Sequence, residues 1–384
     1  MRHYLDHAAT TPLRPGARDA WLAASEIVGN ASSTHGAGQA ARRLLEDSRE
    51  RAAAVVGCDP IEVVFTSGGT ESINTALRGL WGARTAEAAA IVLPDAEHHA
   101  TTDTVAALAR EGAVVRPVPV DALGRIDTAM FAAALDGAAV ATALVANNEV
   151  GTVNDARALS LSAAAAGVPL HLDAVSACGH VPLVFRDLRG DASAGTGLVA
   201  ISIAGHKIGA PVGTGMLVVS RSARIAPLLH GGSQQRGLRA GTQDVPGAAA
   251  LAVALEEAEA ERERESTRLA ALRDRLIAGV LAAVPSAALL GDPLDRLPGN
   301  AHLLFPGAVG EILLFLLDMA GISASTGSAC QAGVAEPSHV VLAMGRSEQD
   351  ARSVLRLTLG ATSTEADVDA VLVAIPDAVA RASR

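Results

Sequence analysis

The chain has 384 residues, 49% of them hydrophobic and 19% charged, enough for a large domain with a full core and a smaller companion. Its net charge of −10 disfavours non-specific nucleic-acid binding, which needs a basic surface. The apolar content is mostly alanine and valine spread along the chain, and the longest strongly apolar stretches, such as "EILLFLLDMAGI", are too short to span a bilayer. The N-terminus "MRHYLDHAATTP" has no apolar signal core, so a cytoplasmic protein is expected. Three cysteines (Cys58, Cys178 and Cys330) without a CxxC pair fit a reducing compartment and argue against a structural zinc site.

In chain order, short apolar runs alternate with alanine-rich helical segments. "EVVFTS" leads into a helix from Glu71, "AAIVLPD" precedes "HATTDTVAALAREG", and "VATALVANNE" precedes "ARALSLSAAAAG". Then come "PLHLDAV", "GLVAISIAG" and "GMLVVS". This alternation predicts βα units and a mainly parallel sheet, whose ligands bind at the carboxyl ends of the strands. A long helix from about Gly247 to Val284 carries the charge run "EEAEAERERESTR", read as a solvated face laced with (i, i+4) pairs. Beyond the loop "PSAALLGDPLDRLPGN", the strand "AHLLFPG", the helix "GEILLFLLDMAG" and the strand "ISAST", followed by helix, strand and helix, read as a smaller α+β domain.

One compositional fact is sharper. Lys207 is the only lysine, so 31 − 1 = 30 of the basic residues are arginines. Arginine cannot lose a proton near neutral pH and attack a carbonyl carbon, whereas a desolvated lysine amine can. Lys207 follows the strand "LVAISIAG", and Asp173 ends the strand "HLDAV", where a carboxylate needs a partner. "TSGGTES" (Thr66 to Ser72) opens a helix with glycines and a hydroxyl, a composition suited to holding a phosphate without a charged side chain. A lysine, a buried acid and a phosphate cradle are the requirements of pyridoxal phosphate.

Other motifs surround that set. "EHHATT" offers His98 and His99, one of which could stack on the cofactor ring and shuttle protons. "LVANNEVG" brings Asn147, Asn148 and Glu149 to a strand end. The loop "GGSQQRGLRAGTQD" carries Arg236, Arg239 and Thr242 as candidates for anion contacts across a subunit boundary, and Arg356 in "SVLRLTLG" could clamp a carboxylate bidentately. Cys330 sits in "STGSACQAG", among small residues that leave a thiol unshielded.

The sequence resembles the cysteine desulfurases of the NifS/IscS type, within the class V aminotransferases of fold-type I. The motifs carrying the resemblance run nearly end to end: "YLDHAATTP", "GNASSTHGAG", "VVFTSGGTES", "EHH", "NNEVGT", "HLDAV", "GHK", "LLHGG", "RAGT", "STGSAC" and "LRLTLG". It implies an α/β fold of the fold-type I transferases, with a large domain (residues 16–255) built on a mainly parallel seven-stranded sheet. Residues 1–15 and 256–384 would form the small α+β domain carrying the Cys330 loop.

It implies pyridoxal 5′-phosphate attached to Lys207, with Asp173 paired to the ring nitrogen and His98 stacked on the ring as proton relay. Gly69, Thr70 and His206 would hold the phosphate, joined by Thr242 from the other subunit of a homodimer. Asn148 would face the ring oxygen and also the substrate, and Arg356 would bind the carboxylate of L-cysteine. Cys330 would attack the substrate sulfur, carry it as a persulfide, and deliver it to a protein acceptor such as an iron–sulfur scaffold or sulfur carrier. No resident metal is implied, and at most a transient iron–sulfur contact at Cys330. No membrane and no direct nucleic-acid partner are expected.

Two positions depart from the family pattern: Ser176 stands where an amide is usual, and Ala204 where Ser or Thr is usual. The first touches the ring-oxygen site and the second removes a phosphate hydrogen bond, on the order of 1 kcal/mol. A selenocysteine lyase, a cysteine β-lyase and a catalytically weak scaffold paralogue are the alternative readings.

Overall fold

The computed structural model describes residues 2–327 and 336–383. Among them the strands are β1 (His3–Tyr4), β2 (Val63–Thr66), β3 (Ala90–Pro94), β4 (Val114–Val118), β5 (Ala138–Leu144), β6 (Pro169–Asp173), β7 (Gly197–Ala204), β8 (Gly215–Val219), β9 (Ala288–Leu290), β10 (Asn300–Leu304), β11 (Ile322–Ser323) and β12 (Val354–Thr358). Seven of them form one sheet in the order β2-β8-β7-β6-β5-β3-β4. β8 is antiparallel to both neighbours and every other pairing is parallel, so β2 runs the same way as β7. The carboxyl ends of β2, β3, β5, β6 and β7 therefore share one edge.

Strands β2, β3, β5, β7 and β8 are buried along their whole length, as their unbroken apolar runs require of a sheet covered on both faces. The edge strand β4 departs from that rule: Val114 and Val115 are exposed, and Arg116 and Pro117 interrupt its pattern, which is why the sequence pass did not pick it out. The short β1 and β9 were missed for want of length. Conversely, the strand expected over "ISAST" shrinks to Ile322–Ser323, which pairs in parallel with β1.

The remaining strands form an antiparallel sheet in the order β12-β10-β9. Helices Gly310–Met319 and Glu365–Ala382 pack there around a second apolar cluster that includes Leu5, Phe305, Leu313, Leu357 and Ile375. The first cluster lies about the large sheet and is built chiefly from residues 17–258. A helix of 39 residues, Val245–Ala283, contributes Leu251 to the first cluster and Leu276 to the second.

Its charge run is a correction to the sequence reading. Within it, Arg262–Glu259, Arg264–Glu261 and Arg268–Glu265 pair at (i, i+3), each arginine reaching back one turn, and Arg264 also pairs with the adjacent Glu265. Other charges reach out to neighbouring helices: Arg51 of helix Gly36–Val56 to Glu256, and Arg14 at the cap of helix Pro15–Ser25 to Glu261.

The start of β8 packs directly on the loop that follows β2. A Cβ on Gly215 would stand 2.5 Å from the Gly68 Cα, backbone that cannot swing aside. Gly215→Ala is therefore expected to destabilise the chain by about 1–3 kcal/mol. Denaturant unfolding of the variant checks this, and a midpoint equal to that of the parent chain would refute it.

Candidate active site

The strand ends open onto a cleft of about 450 Å³. At its wall, helix Gly69–Gly82 begins two residues earlier than the Glu71 start expected from sequence. Gly68 has φ of 152°, and a Cβ on Gly69 would lie 2.6 Å from Val175 Cγ2, so glycine alone lets the helix start approach the end of β6. Glu71 accepts from the Ser67 N–H at 2.7 Å and pairs with Arg239 at 2.9 Å, tying this turn to the loop at 231–244.

Arg239 is thus spent inside the chain. Arg236 likewise donates to the carbonyls of Ile61 and Val219. Ser233, Gln235 and Arg236 hold φ of 60°, 50° and 61°, a conformation uncommon for residues with side chains. Thr242 is exposed and does not line this chain's cleft.

Asp173 ends β6 with 2% of its surface exposed. Its Oδ1 accepts from the Val175 N–H at 2.9 Å. Burial raises its pKa to about 6, against the opposing effects of that hydrogen bond and of the Lys207 charge. Lys207 closes the short 3₁₀ turn Gly205–Lys207 after β7 and donates to the Ala8 carbonyl. His206 beside it also lines the cleft, its pKa lowered to about 4 by burial and then by Lys207.

His98 is the N-cap of helix His99–Arg110, and its Nδ1 accepts from the Ala100 N–H at 3.0 Å. Burial, then the Lys207 charge, lowers its pKa to about 4. The ring is therefore neutral near pH 7, with its proton on Nε2.

Arg356 lies in β12 with 5% exposure. It donates to the Asn148 carbonyl at 3.0 Å and pairs with Asp6 at 2.9 Å, while its Nε is buried with no partner among the described residues. Asn148 and Ser176 line the cleft beside Lys207, and Ala204 forms part of the wall next to Gly69. Asn147, by contrast, is structural: its side chain donates to the Ala96 carbonyl and accepts from the N–H groups of Glu149 and Val150.

Cys330 falls outside the described residues. The other two thiols are buried, and desolvation raises each to a pKa of about 12, which leaves them inert as nucleophiles.

The structure thus brings Gly69, Thr70, His98, Asn148, Asp173, Ser176, His206, Lys207 and Arg356 to one cleft. Sequence reasoning assigned no role there to Asp6, Ser325 or His339, which also line it. Asp6 lay inside a quoted motif, but nothing in the sequence announced that it would meet Arg356, 350 residues away.

Glu97 is another such residue. It is 1% exposed, its Oε1 accepts from the Leu144 N–H at 2.8 Å, and its Oε2 is buried without a partner among the described residues. Burial, with Asp173 nearby adding to it, raises its pKa to about 8. A carboxyl raised from the usual 4.5 binds its proton more tightly when folded, so this contribution is complete below about pH 4.5 and lost as pH rises through about 8. Glu97→Gln keeps an acceptor for Leu144 but cannot ionise. We expect the variant to gain on the parent chain by a few kcal/mol, in order of magnitude, between pH 5 and pH 9. Urea unfolding of both proteins across that range checks it, and a constant gap between the curves would refute it.

Residues 3–371 match the family described as Aminotransferase class-V. An IscS-like cysteine desulfurase of Mycobacterium tuberculosis is 48% identical over 390 residues, covering 99% of this chain and 97% of that protein. Among solved structures, a NifS-like protein matches with a TM-score of 0.91 at 30% identity, covering 99% of this chain and 100% of that one. SspA in complex with cysteine matches with a TM-score of 0.81 at 28% identity, covering 93% and 98%. The chain belongs to the class-V aminotransferase family and, within it, to the cysteine desulfurases.

Proposed function

We propose that this chain is a pyridoxal-phosphate-dependent cysteine desulfurase that converts L-cysteine to L-alanine and passes the sulfur, through a persulfide on Cys330, to a protein acceptor. The observation that carries the reading is the chain's sole lysine lining the same cleft as a fully buried strand-end aspartate. The residues present fit the cofactor on two further counts. Gly68 leaves open space at a helix start for an anion, and Arg356 lines the cleft as a buried cation suited to a carboxylate. One structural relative is SspA in complex with cysteine, which accords with this substrate.

Bound pyridoxal phosphate supplies an electron sink that weakens the bonds at the substrate's Cα and Cβ. The protein's residues do the rest. Lys207 would hold the cofactor covalently, and Asp173 would pair with its ring nitrogen, where a positive charge would answer the cost of burying the carboxylate. His98, neutral and with its proton on Nε2, would stack on the ring. Gly69, Thr70 and His206 would hold the phosphate, joined by Thr242 of a second copy of the chain in a homodimer. Asn148 would meet the ring oxygen, with Ser176 beside it.

Arg356, which lines the cleft, would take the substrate carboxylate, while Asp6 and the Asn148 carbonyl fix the guanidinium plane. The Cys330 thiolate then attacks the substrate sulfur, and the Cβ–S bond breaks with its electron pair going to carbon. Protonation gives alanine and leaves the persulfide on Cys330. We assign residues 16–255 to the cofactor-binding domain and residues 1–15 and 256–384 to the small one.

Two variants test the proposal. Lys207→Ala should abolish the absorbance band expected near roughly 400 nm after incubation with the cofactor. Cys330→Ala should keep that band while losing persulfide transfer. Assaying alanine from cysteine and from selenocysteine separates a desulfurase from a selenocysteine lyase. Retention of the band in Lys207→Ala, or its loss in Cys330→Ala, would overturn the assignment.

A further inference from the structure

His98 is arranged as a proton donor. Its Nδ1 lone pair is occupied by the Ala100 N–H, and its other nitrogen carries the proton. L-cysteine, however, arrives with an ammonium group, and its nitrogen becomes nucleophilic only after losing a proton. The cleft needs an acceptor as well as a donor.

His339 has the opposite polarity. Its Nε2 lies 2.8 Å from the Glu97 carbonyl oxygen, which can only accept, so Nε2 carries the proton and Nδ1 keeps its lone pair. The residue lines the cleft, and its ring lies 4.7 Å from that of His99 at 52°.

Its position is fixed by the residue before it. Ser338 is fully buried, caps helix His339–Ala343 by accepting from the Val341 N–H at 3.1 Å, and donates to Glu149 Oε2. Among the described residues, the titratable and charged groups around His339 are Glu97, His98 and His99 on the segment after β3, Glu149 behind Ser338, and Asp6, Asp173, His206, Lys207 and Arg356 lining the same cleft.

We infer that His339 is the proton acceptor for the incoming substrate. The step breaks an N–H bond of the cysteine ammonium, leaves the electron pair on the substrate nitrogen, and forms an N–H bond at His339 Nδ1. The imidazolium is held by the Glu97 carbonyl at Nε2 and later returns the proton to solvent. The inference rests on the cysteine desulfurase reading.

The test uses the cofactor-loaded enzyme as wild type, His339→Gln and His339→Phe. Glutamine can still donate to the Glu97 carbonyl but has no titrating nitrogen. We expect kcat/KM for alanine release from L-cysteine to fall at least about tenfold in both variants near pH 7. The rise of kcat/KM through the histidine range should disappear, while the cofactor absorbance and the melting temperature of His339→Gln stay those of the wild type.

A second readout does not depend on turnover: nitrogen NMR of histidine-labelled protein should show His339 as the Nε2–H tautomer. A wild-type pH profile in His339→Gln with kcat/KM within about twofold, or an Nδ1–H tautomer, overturns the inference alone. A wild-type enzyme that releases no alanine from L-cysteine overturns the desulfurase reading and this inference with it.

Discussion

A carboxylate buried at the end of a central strand governs this molecule. Asp173 has one backbone hydrogen bond and almost no access to water, so its negative charge is costly until a cation meets it. Lys207, just beyond the next strand, supplies positive potential that partly offsets this cost. The surrounding sheet is arranged around that need. β6 lies between β5 and β7, which deliver Asn148 and Lys207 on either side, and the start of helix Gly69–Gly82 closes the wall. Glu97 belongs to the same electrostatic problem. Desolvation is again the main cause of its raised pKa of about 8, and the charge of Asp173 adds a smaller effect in the same direction.

Much of this was legible in the sequence, for physical reasons. Buried parallel strands must be apolar throughout, so β2, β3, β5, β6, β7 and β8 announced themselves. The residues just beyond their carboxyl ends were then candidates by position. Lys207 stood out because it is the sole lysine, and Asp173 because an acid ending an apolar strand is expensive.

What escaped notice had no local signature. β4 is an edge strand and lacks the continuous apolar run. The pairing of Asp6 with Arg356 and the capping of His339 by Ser338 depend on chain segments that only the tertiary fold brings together. The tautomers of His98 and His339 follow from which backbone group each ring meets, and no spacing in a sequence encodes that. The (i, i+4) ladder expected along Val245–Ala283 failed for a related reason: several of its acids are claimed by arginines on neighbouring helices.

The chain also divides its nucleophilic sulfur. Cys58 and Cys178 are enclosed in the larger core, where desolvation keeps them protonated and unreactive. The third cysteine, Cys330, stands in sequence among small residues. A thiol held protonated in a core is a poor nucleophile, so Cys58 and Cys178 would not compete for sulfur.

The helix Val245–Ala283 has a mechanical consequence. At roughly 1.5 Å per residue its 39 residues make a strut close to 60 Å long, rooted in both apolar clusters. Lateral ion pairs to two other helices brace it at Glu256 and Glu261. Swinging the two sheets apart would require bending this beam and breaking its backbone hydrogen bonds. The gap between them is thus set by a stiff spacer, which fixes how far Arg356 on the small sheet stands from Lys207 beyond the end of β7.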